Sequence, residues 1–199
     1  MADNDLPKVR ELYEAYPFPS RDAAAENASI VPVSRTDILG KVNHHCFGGR
    51  CDFTGGFRAL VAGCGTGDAA IFLAAQLRHA GAEIVGLDLS EASLAIARQR
   101  AASRGLEHRV RWVRGSILDI GRLELGRFDY ISCLGVLHHL AAPGMGLRAL
   151  TDALADRAGM ALMVSGRYGP LDVYAIQDLM RLINGDGTDL GGQLANLKA

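Results

Sequence analysis

No run of apolar residues in this chain approaches the roughly 20 that a membrane helix requires. Its first residues, Met1-Ala-Asp-Asn-Asp5, lack the basic flank and apolar centre of a secretory signal. A cytoplasmic setting with reduced thiols is therefore the expectation. No basic block stands out either: 21 Lys and Arg against 22 Asp and Glu leave a formal net charge of −1, which offers no electrostatic surface to nucleic acid. The 4 cysteines, at 46, 51, 64 and 133, follow no zinc spacing. His44, His45, Cys46 and Cys51 come without a second ligand pair, so no metal is expected. Internal repeats and low-complexity tracts are missing as well.

What remains is a chain of 199 residues, 49% apolar, the length of one domain with a short arm. A domain of this size buries roughly 70% of the surface its unfolded chain exposes, enough for a two-sided α/β core. Its most informative stretch is Phe57-Arg-Ala-Leu-Val-Ala-Gly-Cys-Gly-Thr-Gly-Asp68. An apolar run breaks into Gly63-x-Gly65-x-Gly67 and then opens an Ala-rich helical pattern. Strand, tight glycine turn and helix form the first half of a nucleotide-binding βαβ unit. A second apolar run ends in Asp88, about 20 residues on, where an acid can accept hydrogen bonds from ribose hydroxyls.

The periodicities predict the remaining elements. A short amphipathic helix over 9–16 is stopped by Pro17 and Pro19, and Thr36 is placed to cap a second helix running to Val42. Strands follow at 58–62, 83–88, 109–113, 128–133 and 159–165. Helices are predicted over 68–80, from Ser90 to Ser103, over 144–155 and over 171–183. This alternation implies an α/β fold, a Rossmann-like doubly wound, mostly parallel sheet with helices on both faces and an N-terminal helical arm. The expected division is an arm over 1–56, a core over 57–183 and a tail over 184–199.

A dinucleotide fingerprint needs a third glycine at position 68, and this chain has Asp68 there. A pyrophosphate would meet a carboxylate, whereas a ligand bearing a positive amino or sulfonium group would be welcome. The run Val61-Ala-Gly-Cys-Gly-Thr-Gly-Asp68 resembles motif I of the class I methyltransferases dependent on S-adenosylmethionine. Phe128-Asp-Tyr-Ile-Ser-Cys-Leu-Gly-Val-Leu-His-His-Leu140 resembles motif IV of small-molecule members of the ubiquinone and menaquinone type. It is unlike the Asn/Asp-Pro-Pro-Tyr/Phe loop of many enzymes that methylate nucleic-acid bases or protein amides.

The resemblance implies S-adenosylmethionine as cofactor, held by Gly63, Cys64, Gly65, Gly67, Asp88, Leu89, Ser116, Ile117 and Leu134. Ser116 stands where the family delivers an acid to the adenine, a departure that leaves a hydroxyl or the Ile117 backbone for that edge. His138 and His139 are the candidate catalytic bases, with capping and packing of the following turn as the alternative. Tyr13 and Tyr16, Arg50 for the cofactor carboxylate, and Tyr168 after the fifth strand are the candidate lid and substrate residues. The family's two last strands find no counterpart in 184–199, which leaves strand 5 as an edge open to a homodimer. A small-molecule acceptor is the expected partner. Two rivals stay open: a non-catalytic module binding S-adenosylmethionine or its demethylated product, and an NAD-dependent oxidoreductase.

Overall fold

A computed structural model describes residues 7–23, 35–166, 171–185, 191–193 and 196. Five strands, β1 (Arg58–Ala62), β2 (Glu83–Asp88), β3 (Val110–Arg114), β4 (Phe128–Leu134) and β5 (Leu154–Met163), form one sheet in the order β3-β2-β1-β4-β5. Every pairing is parallel. The order reverses between β1 and its neighbours β2 and β4, which creates a switch point at the carboxyl ends of β1 and β4.

The central strands β1, β2 and β4 are apolar on both faces because both faces are covered. Side chains alternate: Ala59 and Val61 enter a core beneath α2 (Leu39–Phe47), α3 (Asp68–Gln76) and α4 (Glu91–Ser103), together with Ile71, Leu73, Ile84 and Tyr130. Leu60 and Ala62 enter the opposite core with Val85, Leu87, Ile131, Cys133 and Leu150, the last supplied by α5 (Pro143–Asp152). Ser90 caps α4 through its side chain, which accepts from the Ser93 N–H at 3.0 Å, as the sequence predicts.

Several predicted boundaries shift, and α3 ends at Gln76 instead of 80. The fifth strand starts at Leu154 instead of 159, and α5 ends at Asp152 instead of 155. Phe128 pairs with Leu154, but Tyr130 pairs with Gly159, so the extra residues bulge out of the ladder. Arg157, at φ 62, turns that bulge. The helical reading fails there because Ala153-Leu-Ala continues an apolar helix pattern by composition, while the ladder to β4 claims it. The second helix also starts later, at Leu39, with Ile38 at its N-cap and no side-chain cap, so Thr36 is not the cap of this helix.

The chain divides into two units, Met1–Val164 and Ser165–Ala199. The second contains α6 (Leu171–Asn184), whose Val173, Ile176, Leu179 and Leu182 are exposed. Among the described residues no helix is long and apolar enough to cross a membrane, and no group of three or more His, Cys, Asp or Glu is placed to hold a metal.

Candidate cofactor and methyl-transfer site

The carboxyl ends of β1 and β2 meet through backbone hydrogen bonds. The N–H groups of Gly63 and Cys64 both donate to the Leu87 carbonyl, at 2.8 and 3.0 Å, and Gly67 N–H closes the turn on the Cys64 carbonyl at 2.9 Å. Gly63, Gly65 and Gly67 all adopt positive φ, where a side chain would be strained. At Gly65 the need is also steric: a Cβ would collide with the carbonyl oxygen of Phe18. The Cys64 side chain is buried in the core, so the turn can present only backbone at that position.

Asp88 ends β2 with its carboxylate turned toward this loop. Oδ2 accepts from Gly65 N–H at 2.7 Å and Oδ1 from Ser90 N–H at 2.9 Å. Burial raises its pKa, and these backbone donors only partly oppose that. Leu89 follows directly. Gly115 N–H donates to the Asp88 carbonyl at 2.9 Å, which brings the end of β3 beside it. There Ser116 is buried and caps a 3₁₀ turn (Ile117–Arg122), its hydroxyl accepting from Leu118 N–H at 3.1 Å. Leu134 ends β4, and Val136 packs close enough to Gly63 that a Cβ there would clash with it. Gly63, Cys64, Gly65, Gly67, Asp88, Leu89, Ser116, Ile117 and Leu134 are therefore brought to one sheet edge.

The N-terminal arm lies over that edge. Its helix α1 (Pro7–Ala15) carries Glu14 in its last turn, and the Glu14 carboxylate accepts from Glu91 and Ala92 N–H at 2.9 and 3.0 Å. That caps α4, and the two N–H bonds hold the Glu14 pKa below its usual value. Further along, Thr66 donates its hydroxyl to the Pro19 carbonyl at 2.8 Å and its N–H to the Phe18 carbonyl at 3.4 Å. Tyr13 reaches the far side: its Oη lies 3.4 Å from His139 Nε2, and its carbonyl accepts from Ser90 Oγ at 3.0 Å.

The charge at Asp68 is settled within the protein. Arg21 from the arm makes a forked contact to both its oxygens, and buried Arg100 of α4 bonds Oδ1 while donating to the Thr66 carbonyl at 2.7 Å. Burial alone would raise the Asp68 pKa; the two guanidiniums outweigh it and hold the group below the usual carboxylate value. The expectation that this carboxylate would welcome a positive ligand group does not stand, because two arginines already satisfy it.

Other candidates fall elsewhere. Arg50 follows α2 and folds back on the Gly48 turn. The neighbouring Phe47 packs on Phe57, so Arg50 lies beside the amino end of β1, away from the carboxyl ends. Tyr16 is exposed, and Tyr168 lies outside the described residues. His138 is exposed while His139 is half-buried. Burial pushes the Cys133 thiol up to about 12, so it is no nucleophile at neutral pH. Glu14, Arg21, Thr66 and Arg100 carry no local sequence signal, since each acts on a residue far along the chain.

A family model described as a methyltransferase domain matches residues 60–160. An uncharacterized protein of Synechococcus sp. is 33% identical over 186 residues, 94% of this chain and 43% of its own length. The ubiquinone biosynthesis O-methyltransferase of Bordetella avium is 33% identical over 94 residues, 47% of this chain and 36% of that enzyme. The chain thus spans less than half the length of these relatives. Among solved structures, PKMT2 from Rickettsia typhi in complex with AdoHcy matches with a TM-score of 0.57 and 22% identity, over 71% of this chain and 28% of its own; at that identity the likeness speaks for the fold. On the family match, this chain belongs to the methyltransferase domain family, and its parallel sheet is the Rossmann-like sheet of the S-adenosylmethionine-dependent members.

Proposed function

We propose that this chain is the S-adenosylmethionine-binding part of a class I methyltransferase that acts on a small molecule. The observation that carries the reading is Asp88, a carboxylate at the end of β2 anchored to the glycine turn by Gly65 N–H. Each carboxylate oxygen carries two lone pairs, so both can accept a ribose hydroxyl beside the backbone donor each already has.

The residues fit that cofactor. Gly63, Gly65 and Gly67 leave bare backbone for its amino-acid part, Asp88 and Leu89 face the ribose, Ser116 and Ile117 the adenine, and Leu134 borders the sulfur. Bound there, S-adenosylmethionine supplies an electrophilic methyl group on a cationic sulfur. The protein's part is to hold donor and acceptor in line and exclude water. A dinucleotide fits less well. Its pyrophosphate takes the N–H groups at a helix start, and the start of α3 is covered by Phe18, Pro19 and Arg21. The near-zero net charge and the motif after β4 favour a small acceptor over a nucleic acid. Two copies pairing along the outer edge of β5, which bonds only to β4 in the sheet, would complete the assembly we propose.

Calorimetric titration with S-adenosylmethionine, and with NAD as the comparison, tests the reading. Micromolar binding of the first and none of the second is the expected result; NAD binding alone would replace the methyltransferase with an oxidoreductase.

A further inference from the structure

Tyr13 and His139 stand 126 positions apart in sequence, yet their rings meet edge to face, with centroids 6.0 Å apart and planes at 78°. Each is fixed from behind. Tyr13 is held by its carbonyl on Ser90 and by the neighbouring Glu14 cap on α4. His139 closes a 3₁₀ turn (Leu137–His139) anchored by buried Leu137, its N–H donating to the Val136 carbonyl at 2.9 Å. Ser90 follows β2 and Val136 follows β4, with β1 between them in the sheet. The pair therefore bridges the switch point, where Gly63 leaves β1. This is where a methyl donor and its acceptor would meet.

We propose that Tyr13 and His139 form a two-residue proton relay for a hydroxyl-bearing acceptor, an inference that rests on the methyltransferase reading above. The acceptor hydroxyl donates to Tyr13 Oη, which donates to His139 Nε2. As the acceptor oxygen bonds to the methyl carbon, the carbon–sulfur bond breaks and its electron pair passes to sulfur. The acceptor proton moves to Tyr13 Oη while the proton of Tyr13 moves to Nε2, and the imidazolium later releases it to water. Tyr13 is then the catalytic residue, and His139 acts through it.

The groups around the pair suit this traffic. Burial, with Asp88 nearby, pushes the Tyr13 hydroxyl up, so it keeps its proton until a base takes it. Burial, with His138 alongside at 4.3 Å between centroids, lowers the His139 pKa and keeps its ring neutral at physiological pH. Glu14 is committed to α4 and to Arg114 at 3.5 Å. A hydroxyl is the acceptor class that calls for such a relay, because a neutral O–H must lose its proton as the new bond forms, whereas a neutral amine attacks with its own lone pair.

Y13F and H139Q test the relay against the wild-type chain. With histidine labelled in ¹⁵N and the site saturated with S-adenosylhomocysteine, NMR should find His139 Nε2 unprotonated at neutral pH. Y13F should raise the His139 pKa, since the donor that stabilises the neutral ring is gone. With tritiated S-adenosylmethionine and catechol as acceptor, wild-type kcat should rise with pH through the titration of His139. Each variant should lose that limb and roughly 100-fold in kcat, and the double variant should be no slower than the singles. A His139 pKa unmoved in Y13F, or a pH limb kept in H139Q, overturns the relay. So does a wild-type chain that binds S-adenosylhomocysteine but methylates benzylamine, or nothing, in place of catechol. A chain that does not bind S-adenosylhomocysteine defeats the methyltransferase reading itself, and the relay with it.

Discussion

Asp88 braces the glycine turn through Gly65, and in the function proposed above the same side chain also holds the ribose. Replacing it with Ala should weaken S-adenosylmethionine by about 1.5–3 kcal/mol, the usual worth of hydrogen bonds to a charged group. Calorimetry on a folded sample measures this, and unchanged affinity would remove the ribose assignment. Asp37 is a second residue whose environment sets its behaviour. It is buried against β4, where Tyr130 donates to its Oδ1 at 3.0 Å and the Ser132 hydroxyl lies beside it. Burial raises its pKa above the ordinary 3.8, and the Ser132 and Tyr130 hydroxyls offset only part of that. A carboxyl raised on folding is favourable below its unfolded value, and that advantage is lost as pH rises through its folded value. D37N should therefore match the wild type in acid and gain stability relative to it as pH climbs above the ordinary carboxyl range. Urea unfolding at two pH values decides the point, and a gap between the proteins that does not change with pH would show that folding leaves the Asp37 pKa where it is in the unfolded chain.

At the scale of elements, the arm and α4 depend on each other. Glu14 is partly exposed, so its cap contributes modestly: E14A should cost roughly 0.5–1 kcal/mol, the lower part of the range for lost N-caps. Amide exchange should quicken in Pro7–Ala15 and at the start of α4, while β1 and β4 stay protected. Exchange that quickens uniformly would mean that the arm is not a separate unit. The arm also marks where sequence reading stops. Strands β1 and β2 were legible to the residue because Ala59 to Ala62 and Ile84 to Leu87 are apolar runs ended by glycine or an acid, as a strand buried on both faces requires. The Ser90 cap was legible because a cap is a local device. The Asp68 pairing was not, since Arg21 and Arg100 come from elements brought together only by the fold. Arg50 misled for the same reason: its nearness to β1 in sequence says nothing about which end of the strand the preceding loop approaches.

For the whole molecule, the two apolar layers share one sheet, so a ligand bound at the sheet's edge should stabilise both. At 100 times its dissociation constant, S-adenosylmethionine should add about 2.7 kcal/mol, a rise of roughly 5–11 °C in Tm for a chain of this size. Differential scanning fluorimetry gives the number, and a flat response at saturating ligand would place binding outside the folded core. The outer edge of β5 adds a second expectation at this scale. Its end exposes Leu162 and Met163, at 44% and 50%, and an outer strand of that kind pairs readily. Light scattering should report a dimer that L162K weakens; a monomer at every concentration would leave β5 without a second copy.

Trp112 turns the glycine turn into an optical instrument. It is the 1 tryptophan in the chain, and its ring lies against β2 where a Cβ on Gly86 would collide with it, and also borders Gly67. Among the described residues its buried indole N–H finds no hydrogen-bond partner, and the half-buried ring packs against the apolar core. Excitation at the red edge of protein absorbance therefore interrogates a single site, beneath the glycine turn proposed to hold the cofactor. Emission from the unlabelled protein should be blue-shifted at rest. Any change in its wavelength or lifetime on mixing with ligand would time the movement of that loop directly, without a dye.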